Sequence, residues 1–128
     1  MRFSSLTILL VLLALLAASV PAASQPGPSL SAAPNPVNFG QTVVIKGKRW
    51  PVIEFCSRTV RLSLRSAQNA VPLGTKRVRL NGRFRFEWAP RRAKVGAGRW
   101  RVVARMRCES GKDGSVVPVR RSAPLRIR

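Results

Sequence analysis

The sequence predicts an all-β fold, an antiparallel β-sandwich of about seven short strands. Beyond residue 36, apolar and polar residues alternate in short runs, the pattern of strands that bury one face. Gly, Pro or Asn residues bound these runs, as they do at turns between strands. No stretch there has the periodicity of about 3.6 residues that is typical of an amphipathic helix.

The alternating runs predict where the strands lie and which side each residue faces. We predict strands at Thr42–Lys48, Thr59–Ser66, Lys76–Leu80, Phe84–Trp88, Arg99–Cys108, Ser115–Val119 and Pro124–Arg128. In the longest run, Trp100 and Val102 alternate with Arg99 and Arg101. One side of each strand is therefore predicted to face the core, and the other side is mostly arginine.

Asn81-Gly82 lies between two alternating runs and predicts a hairpin. A two-residue loop would put apolar and charged residues on the same face, so the pattern favours a three-residue loop with Gly82 left-handed. This loop, Leu80-Asn81-Gly82, predicts three cross-strand pairs: Arg79 with Arg83, Arg77 with Arg85, and Val78 with Phe84. Like charges that face each other cost stability unless solvent, a counterion or a ligand separates them.

Residues 1–22 have the pattern of a secretory signal peptide. Arg2 supplies the positive start, and an apolar run follows it. Cleavage is expected after Ala22, or alternatively after Ser24. The alternative is an uncleaved membrane anchor, but the apolar run is shorter than the roughly 20 residues that a membrane-spanning helix needs.

The remainder divides into a lead-in and one domain. Residues 23–36 are rich in Ser, Pro and Ala, and their prolines restrict them to a lead-in or an edge strand. Residues 37–128 are predicted to form the sandwich domain. No transmembrane span is expected after signal cleavage.

The chain has two cysteines, Cys56 and Cys108. An even number in an exported chain predicts one disulfide formed in an oxidising compartment, and the alternative is two independent buried thiols. Both cysteines share the inward side of their runs, consistent with a bridge that joins two sheets through the core. Closing this loop would stabilise the fold by about 4 kcal/mol in the chain-entropy model. We expect a secreted or cell-envelope-associated protein.

Positive charge dominates the chain, with 24 Lys and Arg residues against 4 Asp and Glu residues. Only Arg2 of these lies in the signal peptide, so the mature chain would carry a net charge of +19. Such a surface attracts polyanions with an affinity that falls as salt rises. Arginine outnumbers lysine 19 to 5, which indicates either bidentate contacts to phosphate or carboxylate or the codon bias of a GC-rich genome.

The residues that could carry catalysis are few. The chain has no His, no Tyr, one Asp and three Glu, which leaves little to act as acid, base or activated nucleophile. Two distant cysteines without histidine do not make a zinc site, and no other metal or cofactor site is predicted. We expect a protein that is not an enzyme.

Several short motifs carry a resemblance to a known group of domains. They are Pro36-Val37 before a turn and strand, Gly40 and Gly47 around Val43 to Ile45, Asn81-Gly82-Arg83-Phe84 leading to Pro90, and Gly98-Arg99-Trp100 opening a strand that ends in Cys108. With them the chain resembles the immunoglobulin-like β-sandwich modules of exported bacterial proteins. The resemblance implies a role in adhesion, display, binding or spacing, and no catalytic residues. The arginine excess departs from the usual acidic or neutral module.

The outward arginines are the candidate anion-binding residues. They are Arg61, Arg65, Arg77, Arg79, Arg83, Arg85, Arg99, Arg101, Arg105 and Arg107. Rows of arginine on neighbouring strands would suit a repeating anion such as teichoic acid, lipopolysaccharide phosphate or a nucleic acid backbone. The alternative is a solvated charged face that keeps a small domain soluble.

Two aromatic residues are candidates for a small-ligand site in a loop. Trp50 and Phe55 flank Pro51 before Cys56, where they are either exposed or cap one end of the sandwich. Almost all other aromatic residues share the inward side, which argues against base stacking and sequence-specific nucleic-acid recognition. The leading hypothesis is an exported module that binds anionic envelope polymers, and the alternative is a structural or partner-binding module whose charge is incidental.

Overall fold

The structure is a computed structural model that describes residues 27–110 and 113–128. The predicted signal peptide, with both candidate cleavage positions, lies outside these ranges. The described residues form seven strands: β1 Ser29–Ala33, β2 Val43–Lys48, β3 Cys56–Arg65, β4 Ala70–Arg77, β5 Phe84–Trp88, β6 Gly98–Glu109 and β7 Val116–Ile127. They contain no helix, and hence none that could cross a membrane. The predicted all-β class is confirmed.

The strands build two antiparallel sheets. A three-stranded sheet has the order β1-β2-β5, and a four-stranded sheet has the order β4-β3-β6-β7. Ser29–Ala33, from the segment predicted as a lead-in or edge strand, lies at the edge of the three-stranded sheet. Two strands predicted separately at the C-terminal end are one strand, β7, because Arg120 and Arg121 continue the pairing with β6 where no apolar residue marked it.

The two sheets share one hydrophobic core. Ile45 of β2, Leu62 of β3, Ala104 of β6 and Leu125 of β7 are buried in the same cluster. Each such leucine or isoleucine contributes about 1.5–3 kcal/mol relative to an exposed position. The inward residues predicted from alternation, such as Leu62 and Ala104, therefore lie where the pattern placed them.

Gly47 of β2 and Phe84 of β5 are directly paired, and the absence of a side chain at Gly47 makes room for the aromatic ring. A Cβ atom at residue 47 would lie 2.1 Å from the Phe84 ring. Phe84 also contacts Trp50 edge-on, with ring centroids 5.6 Å apart. This contact closes the core where β2 and β5 meet.

The turn at Asn81-Gly82 is partly as predicted. The N–H of Arg79 donates to the carbonyl of Arg83 at 2.9 Å, and Gly82 is left-handed with φ of 79°. The three-residue loop is therefore confirmed. The predicted hairpin ladder beyond it is wrong, because β4 belongs to one sheet and β5 to the other.

The pairs predicted beyond that turn are replaced by partners within each sheet. Arg77 lies opposite Thr59, and Arg85 lies opposite Lys46. The N–H of Val78 donates to the carbonyl of Arg58 at 2.8 Å instead of to the β5 strand. The turn therefore crosses between the sheets, and burial of Val78 and Phe84 in the shared core accounts for the apolar pattern.

Cys56 and Cys108 form the predicted disulfide, with their Cα atoms 4.1 Å apart. The expected placement between two sheets is wrong, because the cysteines are direct cross-strand partners on β3 and β6 of the same sheet. The alternation predicted the inward side of both cysteines correctly, but it does not determine which strands are neighbours. The bulge between Cys56 and Val60 gives β3 two more residues than β6, an even number, so both residues still face inward.

Backbone contacts and prolines mark the outer strands of the four-stranded sheet. The N–H of Val37 donates to the carbonyl of Arg126, and the N–H of Arg128 donates to that of Val37, so a short parallel bridge covers the end of β7. Elsewhere on β7 the chain has Pro118 and Pro124, and β4 has Pro72. Proline has no N–H to offer a further strand, which suits edge positions.

Candidate functional site

The outer face of the four-stranded sheet is covered with arginine. Strands β3, β6 and β7 present alternate residues on the side away from the core, as the period of two in a strand requires. We name as the arginine face the residues Arg61, Arg65, Arg99, Arg101, Arg105, Arg107, Arg120 and Arg126. All are exposed except Arg65, which is half-buried.

The strand register sets several of these arginines directly opposite one another. Arg105 of β6 lies between Arg61 of β3 and Arg120 of β7, so three arginines form one row across the sheet. Four residues back along β6, Arg101 lies opposite Arg65. Neighbouring strands are about 4.8 Å apart, so each opposed pair brings two positive side chains close together at a cost in stability.

A fourth opposition lies at the beginning of β6, where Arg99 faces Arg126 of β7. Between the row at Arg105 and the pair at Arg101 lies Val103, flanked across the strands by Ser63 and Ser122. Val103 points outward yet is only 1% exposed. Since both serines are small, we infer that the long stems of the surrounding arginines cover Val103.

One groove on this face is lined by five arginines. It measures about 700 Å³, and its lining includes Arg65, Arg99, Arg101, Arg120 and Arg126. We call it the five-arginine groove. No acidic residue lines it. Pro124, which lies opposite Arg101 on β7, also lines it and leaves a neutral position among the charges.

A second groove occupies the other end of the face, close to the disulfide. It measures about 710 Å³ and has three arginines in its lining, Arg61, Arg105 and Arg107. We call it the three-arginine groove. The hydroxyl residues Ser57, Thr59 and Thr75 line it as well. The arginine face thus has two cationic grooves with the Ser63–Val103–Ser122 row between them.

Acidic residues lie at the margin of the face or away from it. Glu109, at the end of β6, shares the outward side with Arg107 and lies opposite Val116. Asp113 is in the turn between β6 and β7, where hydrogen bonds from the hydroxyl and N–H of Ser115 hold its pKa below the ordinary value. The central rows of the face therefore carry positive charge without a neighbouring carboxylate on their strands.

Three of the predicted anion-binding residues lie elsewhere, and Arg77 lies at the margin of the arginine face. Arg77 is at the end of β4 opposite Thr59, which shares the outward side of β3 with Arg61. Arg79 and Arg83 are exposed in the turn that connects the two sheets. Arg85 is on the three-stranded sheet, where its guanidinium lies 2.9 Å from the carboxylate of Glu87. This ion pair reduces the charge available at Arg85.

Arg120 and Arg126 were not among the predicted anion-binding residues. Arg120 falls between the predicted strands Ser115–Val119 and Pro124–Arg128, but it lies on β7 opposite Arg105. A signal existed in the last residues, where buried Ala123 and Leu125 alternate with outward residues. Extending that alternation backwards to Arg120 would have placed it on the arginine face.

Trp50 and Phe55, the candidates for a loop site, have different environments. Trp50 is 2% exposed, and its indole Nε1–H donates to the carbonyl of Ser29 at 3.0 Å. Of the two alternatives for Trp50, exposure is therefore wrong, because the indole packs into the core. Phe55 is 53% exposed beside the exposed side chain of Ile53.

Comparison of the chain with protein-family models and with curated protein sequences finds no match. No relative therefore suggests which residues are functional. The arginine face is the feature of the described residues with the clearest chemical specificity: a concentrated set of guanidinium groups on a rigid sheet. Such groups bind phosphate and carboxylate through paired hydrogen bonds as well as charge.

Proposed function

We propose that this chain is an exported, non-enzymatic binding module that holds anionic polymers of the cell envelope on its arginine face. The opposition of Arg61, Arg105 and Arg120 across three strands carries the proposal. A sheet gains nothing in stability from facing like charges. A polymer with repeated negative charges lying over this row would turn that repulsion into attraction.

The physical chemistry of polyanions supports this role. A polymer that carries many negative charges holds a layer of counterions, and a cationic surface that displaces them gains free energy. Guanidinium groups keep their charge across the accessible pH range and present donors in a fork that matches phosphate oxygens. Trp100 lines the five-arginine groove but is only 8% exposed, so contacts to a charged backbone fit the arginine face better than base stacking.

The composition supports a binding role over an enzymatic one. The chain has no His and no Tyr, and it has only four acidic residues. Its charge is concentrated instead in arginine, a residue that binds anions but rarely exchanges protons. The face is therefore suited to holding a polymer and not to cleaving it.

The predicted signal peptide and the disulfide support export. A disulfide such as Cys56–Cys108 persists in oxidising compartments and is rare in the cytoplasm. It is compatible with a place outside the cytoplasm. We propose that the mature domain works there, secreted or held at the envelope of a bacterial cell.

The strand order supports assignment to the immunoglobulin-like modules. Lettered A, B, C, E, F and G, strands β1, β2, β3, β5, β6 and β7 give A-B-E in one sheet and C-F-G in the other, as in immunoglobulin domains. β4 lies beside β3 instead of beside β5. The antibody disulfide joins B and F, whereas this one joins the third and sixth strands. These differences favour the wider immunoglobulin-like group over antibody-type domains.

The test is a binding series with the mature domain at salt concentrations from about 50 to about 500 mM. The probes are isolated cell envelope, an anionic polysaccharide and duplex DNA. The double variant Arg61→Glu/Arg105→Glu reverses two charges in the central row. Its matched control, Arg79→Glu/Arg83→Glu, makes the same charge change in the turn between the sheets, away from the arginine face.

We expect binding to isolated envelope or polysaccharide, with an affinity that falls steadily as the salt concentration rises. The central-row variant should lose about tenfold or more in affinity, and the control variant clearly less. Equal losses for both variants would show that net charge alone matters. Binding that ignores salt, or weak binding at low salt, would overturn the proposal. Preference for DNA over every envelope probe would assign the face to nucleic acid instead.

A second candidate function is a partner-binding module that uses the loop before β3. The exposed side chains of Ile53 and Phe55 favour it, since exposed apolar residues often mark protein contacts. It predicts binding to one protein partner with little dependence on salt. Replacing Phe55 with Ser should abolish that binding, whereas Arg61→Glu/Arg105→Glu should leave it unchanged.

A further inference from the structure

We infer that the five-arginine groove is a specific site for clustered phosphate groups, such as a diphosphate or two neighbouring phosphate monoesters on a polymer. This inference deepens the proposed function and rests on it, since it names the chemical group that one part of the arginine face would bind. The rest of the face would then contribute weaker, sequence-independent contacts along the polymer.

Arginine side chains from three strands converge on this groove. By strand register Arg120 lies opposite Arg105, a residue of the three-arginine groove. Arg120 nevertheless lines the five-arginine groove, together with Arg101. The Nη1–H of Arg101 donates to the hydroxyl of Ser122 at 3.3 Å, and Ser122 lies two residues from Arg120 along β7. These side chains therefore lean towards a common centre despite their equal charge.

The donors in the groove are the second observation. Each guanidinium has five N–H donors, so five arginines offer far more donors than the neighbouring protein groups can accept. The other four arginines of the groove are exposed, whereas the Nε of Arg65 is buried without a hydrogen-bond partner among the described residues, as is that of Arg58 outside the groove. An anion with several oxygens would accept from the exposed guanidinium donors.

Phosphate fits this donor set better than carboxylate. A phosphate monoester carries a charge of about −1.5 to −2 and three acceptor oxygens, whereas a carboxylate carries one charge and two oxygens. Opposed pairs at Arg65–Arg101 and Arg99–Arg126 are two residues apart along β6. The first pair spans β3 and β6 and the second spans β6 and β7, so strand geometry makes this a footprint of about 10 by 7 Å, large enough for two adjacent phosphate groups.

The three-arginine groove provides the internal comparison. It has fewer arginines, and three hydroxyl residues share its lining. Its Arg107 lies opposite Pro118 and not opposite another arginine. We therefore expect it to attract anions through general charge, without preference for clustered phosphates.

The experiment measures binding of inorganic tripolyphosphate, orthophosphate and acetate to the mature domain by calorimetry at about 150 mM salt, where weak surface attraction is screened. Two double variants are compared. Arg101→Gln/Arg126→Gln removes one charge from each opposed pair of the five-arginine groove. Arg61→Gln/Arg107→Gln makes the same change in the three-arginine groove. Thermal unfolding with and without tripolyphosphate reports folding and binding in the same sample.

Tripolyphosphate should bind more tightly than orthophosphate, and acetate should not bind measurably. The five-arginine variant should lose about tenfold or more in tripolyphosphate affinity, and the other variant about twofold or less. Equal losses for the two variants, or equal binding of tripolyphosphate and orthophosphate, would overturn the inference. If long envelope polymers then still bound with loss only at Arg61 and Arg105, the proposed function would stand without this site. If no polymer bound at all, both would fail.

Discussion

Arg61 and Arg105 occupy directly opposite positions on β3 and β6, and Arg120 continues the same row on β7. The row places Arg105 between two like charges on the outer side of the sheet. Side chains at such positions repel each other at close range. The charge of Arg105 therefore lowers the stability of the fold, while it would strengthen the binding of a polyanion.

Replacing Arg105 with Gln should stabilise the fold while weakening polyanion binding. Removing the central charge relieves two opposed pairs, each worth about 0.2–1 kcal/mol. Urea unfolding at low salt should show this gain, and at about 1 M salt the gain should shrink because screening already reduces the repulsion. Arg79→Gln, in the exposed turn, is the control and should change stability little. Lower stability for Arg105→Gln at low salt would mean that its stem packing outweighs the repulsion.

Replacing Gly47 with Ala should destabilise the protein by about 1–3 kcal/mol, the usual cost of overpacking. The added methyl group would overlap the Phe84 ring, which must then move out of its place against Trp50. Gly96→Ala is the matched control, since a Cβ there meets nothing within 4 Å. Denaturant midpoints of the two variants measure the difference. Equal midpoints would show that the ring can shift without cost.

Gly82→Ala should cost more stability than Gly40→Ala. Both glycines are left-handed, with φ of 79° and 82°, so an alanine pays about 1–2 kcal/mol of backbone strain at either position. At Gly82 the new Cβ would also lie 3.0 Å from the carbonyl oxygen of Trp50, whereas at Gly40 nothing lies within 4 Å. The difference in unfolding free energy between the two variants isolates the contact with Trp50. No difference would mean that the loop relaxes freely.

Replacing Cys56 and Cys108 together with Ser should lower the unfolding free energy by about 3–4 kcal/mol, because the unfolded chain regains the freedom that the loop closure removed. Treating the wild-type protein with a reductant should reproduce most of that loss. Without reductant, a thiol reagent should find no free cysteine in the mature protein, since both are in the disulfide. A full thiol signal under those conditions would contradict the bridge.

The sequence predicted which side of each strand faces the core, because alternation records burial directly. Val60, Leu62 and Leu64 are all fully buried, as expected from their period of two. It also predicted the left-handed Gly82, because a three-residue loop needs that conformation. These features depend on residues that are close together along the chain.

The choice of neighbouring strand could not be predicted, because it depends on contacts between residues that are far apart along the chain. Cys56 and Cys108 share an inward side whether they face each other across two sheets or lie side by side in one. Arg77 could likewise have faced Arg85 had the chain turned back within one sheet. The alternation therefore predicted that these arginines face outward. Which of them share a row or a groove depends on the register of β3, β6 and β7, which the sequence did not predict.

The prolines of the outer strands gain a further meaning if the domain binds a long polymer. A polymer that holds many copies side by side raises their local concentration, the condition in which exposed strand edges join and aggregate. Pro72 on β4 and Pro118 on β7 interrupt the row of N–H groups that such joining requires. Copies crowded along one polymer should therefore remain separate domains, each free to detach when salt or a competing anion displaces it.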